Sequence, residues 1–158
     1  NMISNGTLAF MNHPDQWKKL QEDPSLLKKA VEEMLRYDGS VKATVRWAKV
    51  DTEIGGKKIK AGDRLLVSLS GANRDPDQFM NPDQMDINRD PNLHVAFAHG
   101  IHVCLGASLA RMEVEESFAG LVSRINVPEW SGNGELSYYP SVVHRAIQYF
   151  PVKITPKN

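Results

Sequence analysis

Residues 97–111 read F-A-H-G-I-H-V-C-L-G-A-S-L-A-R, and this stretch, Phe97 to Arg111, holds the single cysteine of the 158-residue chain, Cys104. His99, Gly100 and His102 precede the thiol in an irregular run that predicts a tight loop. Behind it Leu105, Leu109 and Met112 are spaced i, i+4, i+7. Val114, Phe118, Leu121, Val122 and Ile125 continue at helical offsets, so a helix is predicted to start at or just past the cysteine. Unpaired backbone N–H groups and the helix dipole favour an anion at such an end, and thiolate is the form that binds metals. Gly100 and Gly106 flank the sulfur without side chains that would block a large flat ligand. Phe97 is placed to shield it from water.

Residue types alone leave two bland readings open. A lone cysteine often packs as a small buried hydrophobe. Alternatively His94, His99, His102 and Cys104 offer zinc ligands, although structural zinc sites usually draw ligand pairs from two separated segments.

The run F-x-x-G-x-H-x-C-x-G-x-x-L-A-R resembles the haem-binding signature of the cytochrome P-450 family. The resemblance implies a mainly α fold with small antiparallel β-sheets (α+β), of which this chain is the C-terminal part. It also implies that Cys104 is the proximal thiolate ligand of haem b iron. Phe97 would then pack by the sulfur, His102 would hydrogen-bond a propionate, and Gly100, Gly106 and Ala110 would lie against the porphyrin. One departure stands out: where the family usually has glycine or a small polar residue after the phenylalanine, this chain has Ala98.

Composition agrees with a soluble domain that has a real core. Lysine and arginine total 19 and acidic residues total 19, which gives no electrostatic case for nucleic acid or an anionic membrane as partner. One cysteine excludes an internal disulfide and fits a reducing, cytoplasmic setting. No apolar run approaches the roughly 20 residues needed to span a bilayer. Met2, Ile3, Leu8, Ala9, Phe10 and Met11 read as the tail of a helix already under way, and the resemblance makes this the end of the distal helix. The chain is therefore expected to be a C-terminal portion whose N-terminal part lies elsewhere, with the distal acid and alcohol pair upstream of residue 1. As written it is expected to be inactive alone.

Pro14 and Asp15 predict a fresh helix to about Glu22, and Leu26, Leu27, Ala30, Val31, Met34 and Leu35 predict another to about Tyr37. On the second, Glu33 and Arg36 share a face, a pairing that on a surface contributes under about 1 kcal/mol. The family's E-x-x-R on this helix implies instead a tether to the loop before the cysteine. The matching segment Pro82-Asp83-Gln84-Met85 carries Gln84 where the family commonly has arginine, so Arg74 or Arg89 is the candidate replacement.

Residues 41–50 alternate and are β-rich, and Gly55-Gly56 predicts a hairpin between 52–54 and 57–59, followed by a strand over 65–69. Arg46, just before that hairpin, is implied by the resemblance to bind a haem propionate, as planar carboxylate recognition suits arginine. The turn-rich passage from Asn73 to Asn92 matches the family's meander. The run 141–154 resembles its C-terminal hairpin. Val143 and His144 would form the tip facing a substrate pocket lined by Val41, Ala43 and Thr44.

The function implied is that of a haem-thiolate monooxygenase, which puts one oxygen atom of O2 into a small-molecule substrate with electrons from a ferredoxin or similar donor. Lys28, Lys29 and Arg111 are candidates for meeting an acidic carrier. Two alternatives differ in kind: a peroxide-using or isomerising haem-thiolate protein, and a non-enzymatic metal module built on His94, His99, His102 and Cys104.

Overall fold

Apolar residues at helical spacing draw the chain together in the computed structural model, which describes residues 1–157. Helices α1 (Met2–Asn12), α2 (Pro14–Glu22) and α3 (Leu27–Asp38) come first. Strands β1 (Ala43–Trp47), β2 (Thr52–Ile54), β3 (Lys57–Ile59) and β4 (Arg64–Ser68) follow, then the one-turn helix α4 (Leu69–Ala72). A long irregular passage leads to helix α5 (Ala107–Arg124), and the short strands β5 (Glu129–Trp130) and β6 (Val152–Lys153) end the order.

Local chemistry explains the breaks. Pro14 opens α2, where its missing N–H removes no bond, and His13 between α1 and α2 donates from Nδ1 to the Ala9 carbonyl at 2.8 Å. Asp23 takes the Ser25 N–H ahead of α3. Gly55 and Gly56 both have positive φ, +55° and +75°, as a two-residue hairpin turn demands.

The core lies among α1, α2, α3 and α5. Phe10, Trp17 and Phe118 meet at ring separations of 5.4 to 6.4 Å, with Leu20, Val31 and Met34 around them. Val114, Phe118 and Val122 are the stripe that α5 buries. Its other apolar stripe, Leu109 and Met112 preceded by Leu105, faces out. Periodicity alone does not say which of two stripes meets a partner.

One expected strand is trimmed and one expected hairpin is divided. The 41–50 run pairs with β4 only over Ala43–Trp47, because the Lys42 N–H is taken by the Val143 carbonyl and Ala48 has entered the turn with Asp63. The hairpin expected over 141–154 is distributed: Tyr138 bridges Ile147, His144 bridges Val41, and β6 pairs with β5. Its residues find three different partners, which sequence spacing cannot reveal.

Gly6 permits a close approach of α1 to α3 and α5. A Cβ there would stand 2.5 Å from Met34 Sδ and 2.9 Å from the Phe118 ring. Alanine gains about 0.5–1 kcal/mol of helix propensity over glycine, but overpacking a filled core costs typically about 1–3 kcal/mol, so the clash wins. Gly6→Ala should lower the urea midpoint. Gly120→Ala, in α5 with nothing within 4 Å of the new methyl, should raise it.

Candidate functional site

The loop before α5 is shaped by two left-handed residues. Ala98 has φ +60° and Gly100 φ +74°, and between them the chain reverses so that the Cys104 N–H donates to the Phe97 carbonyl at 3.0 Å. A short 3-10 turn over Gly100–His102 follows, and α5 begins three residues beyond the cysteine, just past it as the periodicity predicts. Ala107 N–H bonds the Cys104 carbonyl and Ala110 N–H bonds the Gly106 carbonyl, so the thiol-bearing residue is stitched to the first turn.

Cys104 is exposed. It borders a cavity of about 240 Å³ lined also by Phe97, Ala98, His102, Val41, Thr44, Leu35 and Leu69. The structure thus brings Cys104, Phe97, His102, Val41 and Thr44 around one space. Ala43 is buried in the sheet instead, and Val143 and His144 lie beyond Val41, joined to it by the bridge and by the Lys42 to Val143 bond. Gly106 faces the sulfur: a Cβ there would come to 4.0 Å from Cys104 Sγ, and Gly100 has open space. Around the thiol, Ile101, Val103 and Leu105 are exposed, an apolar rim beside the largely apolar cavity. Arg46 is half-buried and gives one N–H to the Val45 carbonyl, its single side-chain bond among the described residues.

Behind this loop lies a buried ionic node. Glu33 and Arg36 have no exposed side-chain area and pair bidentately, Arg36 Nε and Nη2 each donating to one Glu33 oxygen at 2.8 Å. Arg36 also donates to the carbonyls of Asn73, Pro82 and Gln84. Glu33 accepts from the Asp86 N–H, from Asn92 and from Arg89. Arg89 therefore supplies the second cation, while Gln84 contributes only its backbone carbonyl. Arg74 is engaged elsewhere, with Asp83, the Tyr37 carbonyl and the Tyr37 ring. Asn73 and Asn92 carry no motif in the sequence; their roles arise only from where the chain returns.

The four-ligand zinc alternative is not assembled. His94 has both ring nitrogens in use, Nε2 toward Glu32 at 2.9 Å and Nδ1 accepting the Ala96 N–H at 3.2 Å. No group of three or more His, Cys, Asp or Glu side chains able to hold a metal occurs among the described residues. Two of the basic residues expected to face a carrier are also committed. Arg111 binds Glu32 through two N–H groups at 2.6 and 2.9 Å, and Lys29 pairs with Asp90. Glu32, which the sequence reading passed over, is the acceptor for both Arg111 and His94.

The family model "Cytochrome P450", here written cytochrome P-450, matches residues 8–145. Two curated relatives are each 43% identical. The biotin biosynthesis cytochrome P-450 of Bacillus subtilis aligns with 96% of this chain and 38% of its own length. The vitamin D(3) 25-hydroxylase of Pseudonocardia autotrophica aligns with 100% and 40%. The solved structure of the tirandamycin C-bound P-450 monooxygenase TamI superposes with a TM-score of 0.93 at 41% identity, covering 98% of this chain and 39% of that one. The chain thus spans about 40% of the length of the proteins it matches.

Two outcomes are expected from this geometry. Glu33→Gln strips the charge from a fully buried pair and should cost about 3–5 kcal/mol, whereas Gln84→Ala should stay within about 0.5 kcal/mol, both read by chemical denaturation. Left-handed backbone costs a non-glycine residue about 1–2 kcal/mol and glycine loses about 0.4–1 through its freer unfolded chain, so Ala98→Gly should be stabilising by roughly half a kcal/mol in the same assay.

Proposed function

Because this chain belongs to the cytochrome P-450 family, we propose that it supplies the thiolate side of a haem b site in a monooxygenase that inserts one oxygen atom of O2 into a small organic substrate. The observation that carries this reading is the cavity of about 240 Å³ in which Cys104 meets Phe97 and His102 among apolar side chains. No helix of the described residues is long and apolar enough to cross a membrane.

The residues present suit the porphyrin. Its apolar faces match the exposed Ile101, Val103 and Leu105 and the space left by Gly100 and Gly106; its carboxylates match His102 and the half-buried Arg46. When bound, the haem would supply oxygen activation, with electron density from the Cys104 thiolate favouring O–O cleavage.

The chain's own residues do the rest. Cys104 presents its sulfur from a loop whose amide is already bonded to Phe97, so the ligand is preorganised. With haem bound, the Phe97 ring would pack beside the sulfur, and Ala110, whose N–H bonds the Gly106 carbonyl, sits in the first turn of α5 behind the same loop. Val41 and Thr44 give the substrate a wall, with Val143 and His144 joined behind Val41, and Ala43 backs that wall from within the sheet. Glu33 and Arg36 hold the meander so that the loop cannot swing away. Electrons arrive from a ferredoxin or similar donor, for which Lys28 is an exposed cation on the α3 side. The distal acid and alcohol implied by the resemblance are assigned to no residue of this chain, which spans about 40% of its relatives' length.

Carbon monoxide added to the reduced protein tests the reading. A thiolate-type absorption band in the parent and its loss in Cys104→Ser are expected. An identical band in the variant would sink the assignment.

A further inference from the structure

Building on the reading above, we propose that Glu32 is a positioning residue for the thiolate loop: with Arg111 and His94 it clamps the Phe97 ring, and through Phe97 it sets the direction in which Cys104 points. Glu32 projects from α3 next to the tethering Glu33, and both of its oxygens are used. Oε1 takes Arg111 Nε at 2.6 Å, and Oε2 takes Arg111 Nη2 and His94 Nε2, each at 2.9 Å. Since His94 Nδ1 accepts the Ala96 N–H, Nε2 is the nitrogen that donates, and the imidazole is fixed at both ends.

The two groups that Glu32 holds then bracket one side chain. The Arg111 guanidinium lies over the Phe97 ring, 4.7 Å from its centre, and the His94 ring stands 6.5 Å away at 52°. Phe97 in turn offers its carbonyl to the Cys104 N–H. Three distant segments, 32, 94–97 and 104–111, therefore close through one carboxylate. Burial of Glu32 opposes ionisation, yet the hydrogen bonds from His94 and Arg111, with the charge of Arg111, outweigh it and hold the carboxyl down at about 2, so the clamp is charged throughout the neutral range. Glu32 also cancels an arginine cation that otherwise sits uncompensated beside the cysteine loop.

The role predicts effects that general stability does not. Amide hydrogen exchange is measured on the protein as purified, for the parent, Glu32→Gln, Arg111→Gln and Arg111→Lys, alongside the reduction potential of the haem-loaded forms. Exchange at Cys104 should accelerate about tenfold in Glu32→Gln while Leu8 to Phe10 in α1 stay unchanged. The potential should rise in Glu32→Gln, where the cation is unbalanced. Lysine at 111, which keeps the charge but lacks the planar fork, should fail to restore slow exchange. Adding Arg111→Gln to Glu32→Gln should accelerate exchange little further, because one clamp is lost once. Unchanged exchange at Cys104 in Glu32→Gln, or full rescue by Arg111→Lys, would overturn the clamp. Accelerated exchange in Glu32→Gln beside a parent that gives no thiolate-type carbon monoxide band would leave the clamp standing and overturn the haem reading instead.

Discussion

The pairing of Glu33 with Arg36 is the constraint on which the rest of the structure depends. Both side chains are withdrawn from water, a placement that is costly unless every donor and acceptor is met. Arg36 meets its obligations on the carbonyls of Asn73, Pro82 and Gln84, and Glu33 meets its own on Asp86, Asn92 and Arg89. Those partners all lie between residues 73 and 92, where neither helix nor strand organises the backbone. One ion pair on a helix thus replaces the ladder hydrogen bonds that this passage lacks, and the passage is what delivers the chain to Phe97.

From that anchor the order of dependence runs to the cysteine. Asn73, held through its carbonyl, also accepts the Val95 N–H with its side chain, so the loop is pinned two residues before Phe97. Glu32, one position before Glu33 on α3, reaches Arg111 on α5 and His94 on the loop itself. Adjacent carboxylates on one helix therefore face different tasks: one is buried and secures the meander, the other is half-exposed and secures the ring beside the thiol. The geometry of Cys104 is inherited from both.

Apolar surface tells a second story. The aromatic cluster of Phe10, Trp17 and Phe118 closes one side of α5, while Leu105, Leu109 and Met112 remain in solvent on the other. Both stripes have the same periodicity and comparable hydrophobicity. Burial is decided by which face the neighbouring helices α1, α2 and α3 reach, and that is a property of the packed arrangement.

What the sequence by itself determined was local: the helix starts at Pro14 and after Asp23, the Gly55-Gly56 hairpin, the helix behind Cys104 and the signature that names its family. Each is written in consecutive residues, because caps, turns and periodicity act over a few positions. Arg89 in place of Gln84 was only one of two candidates, and Glu32 drew no notice. The division of the 141–154 run among Tyr138, Val41 and β5, and the engagement of His94 away from any metal cluster, were invisible. Those features were decided by tertiary structure alone, since side-chain hydrogen bonds and bridges across tens of residues depend on where the chain returns in space, which no short-range pattern encodes.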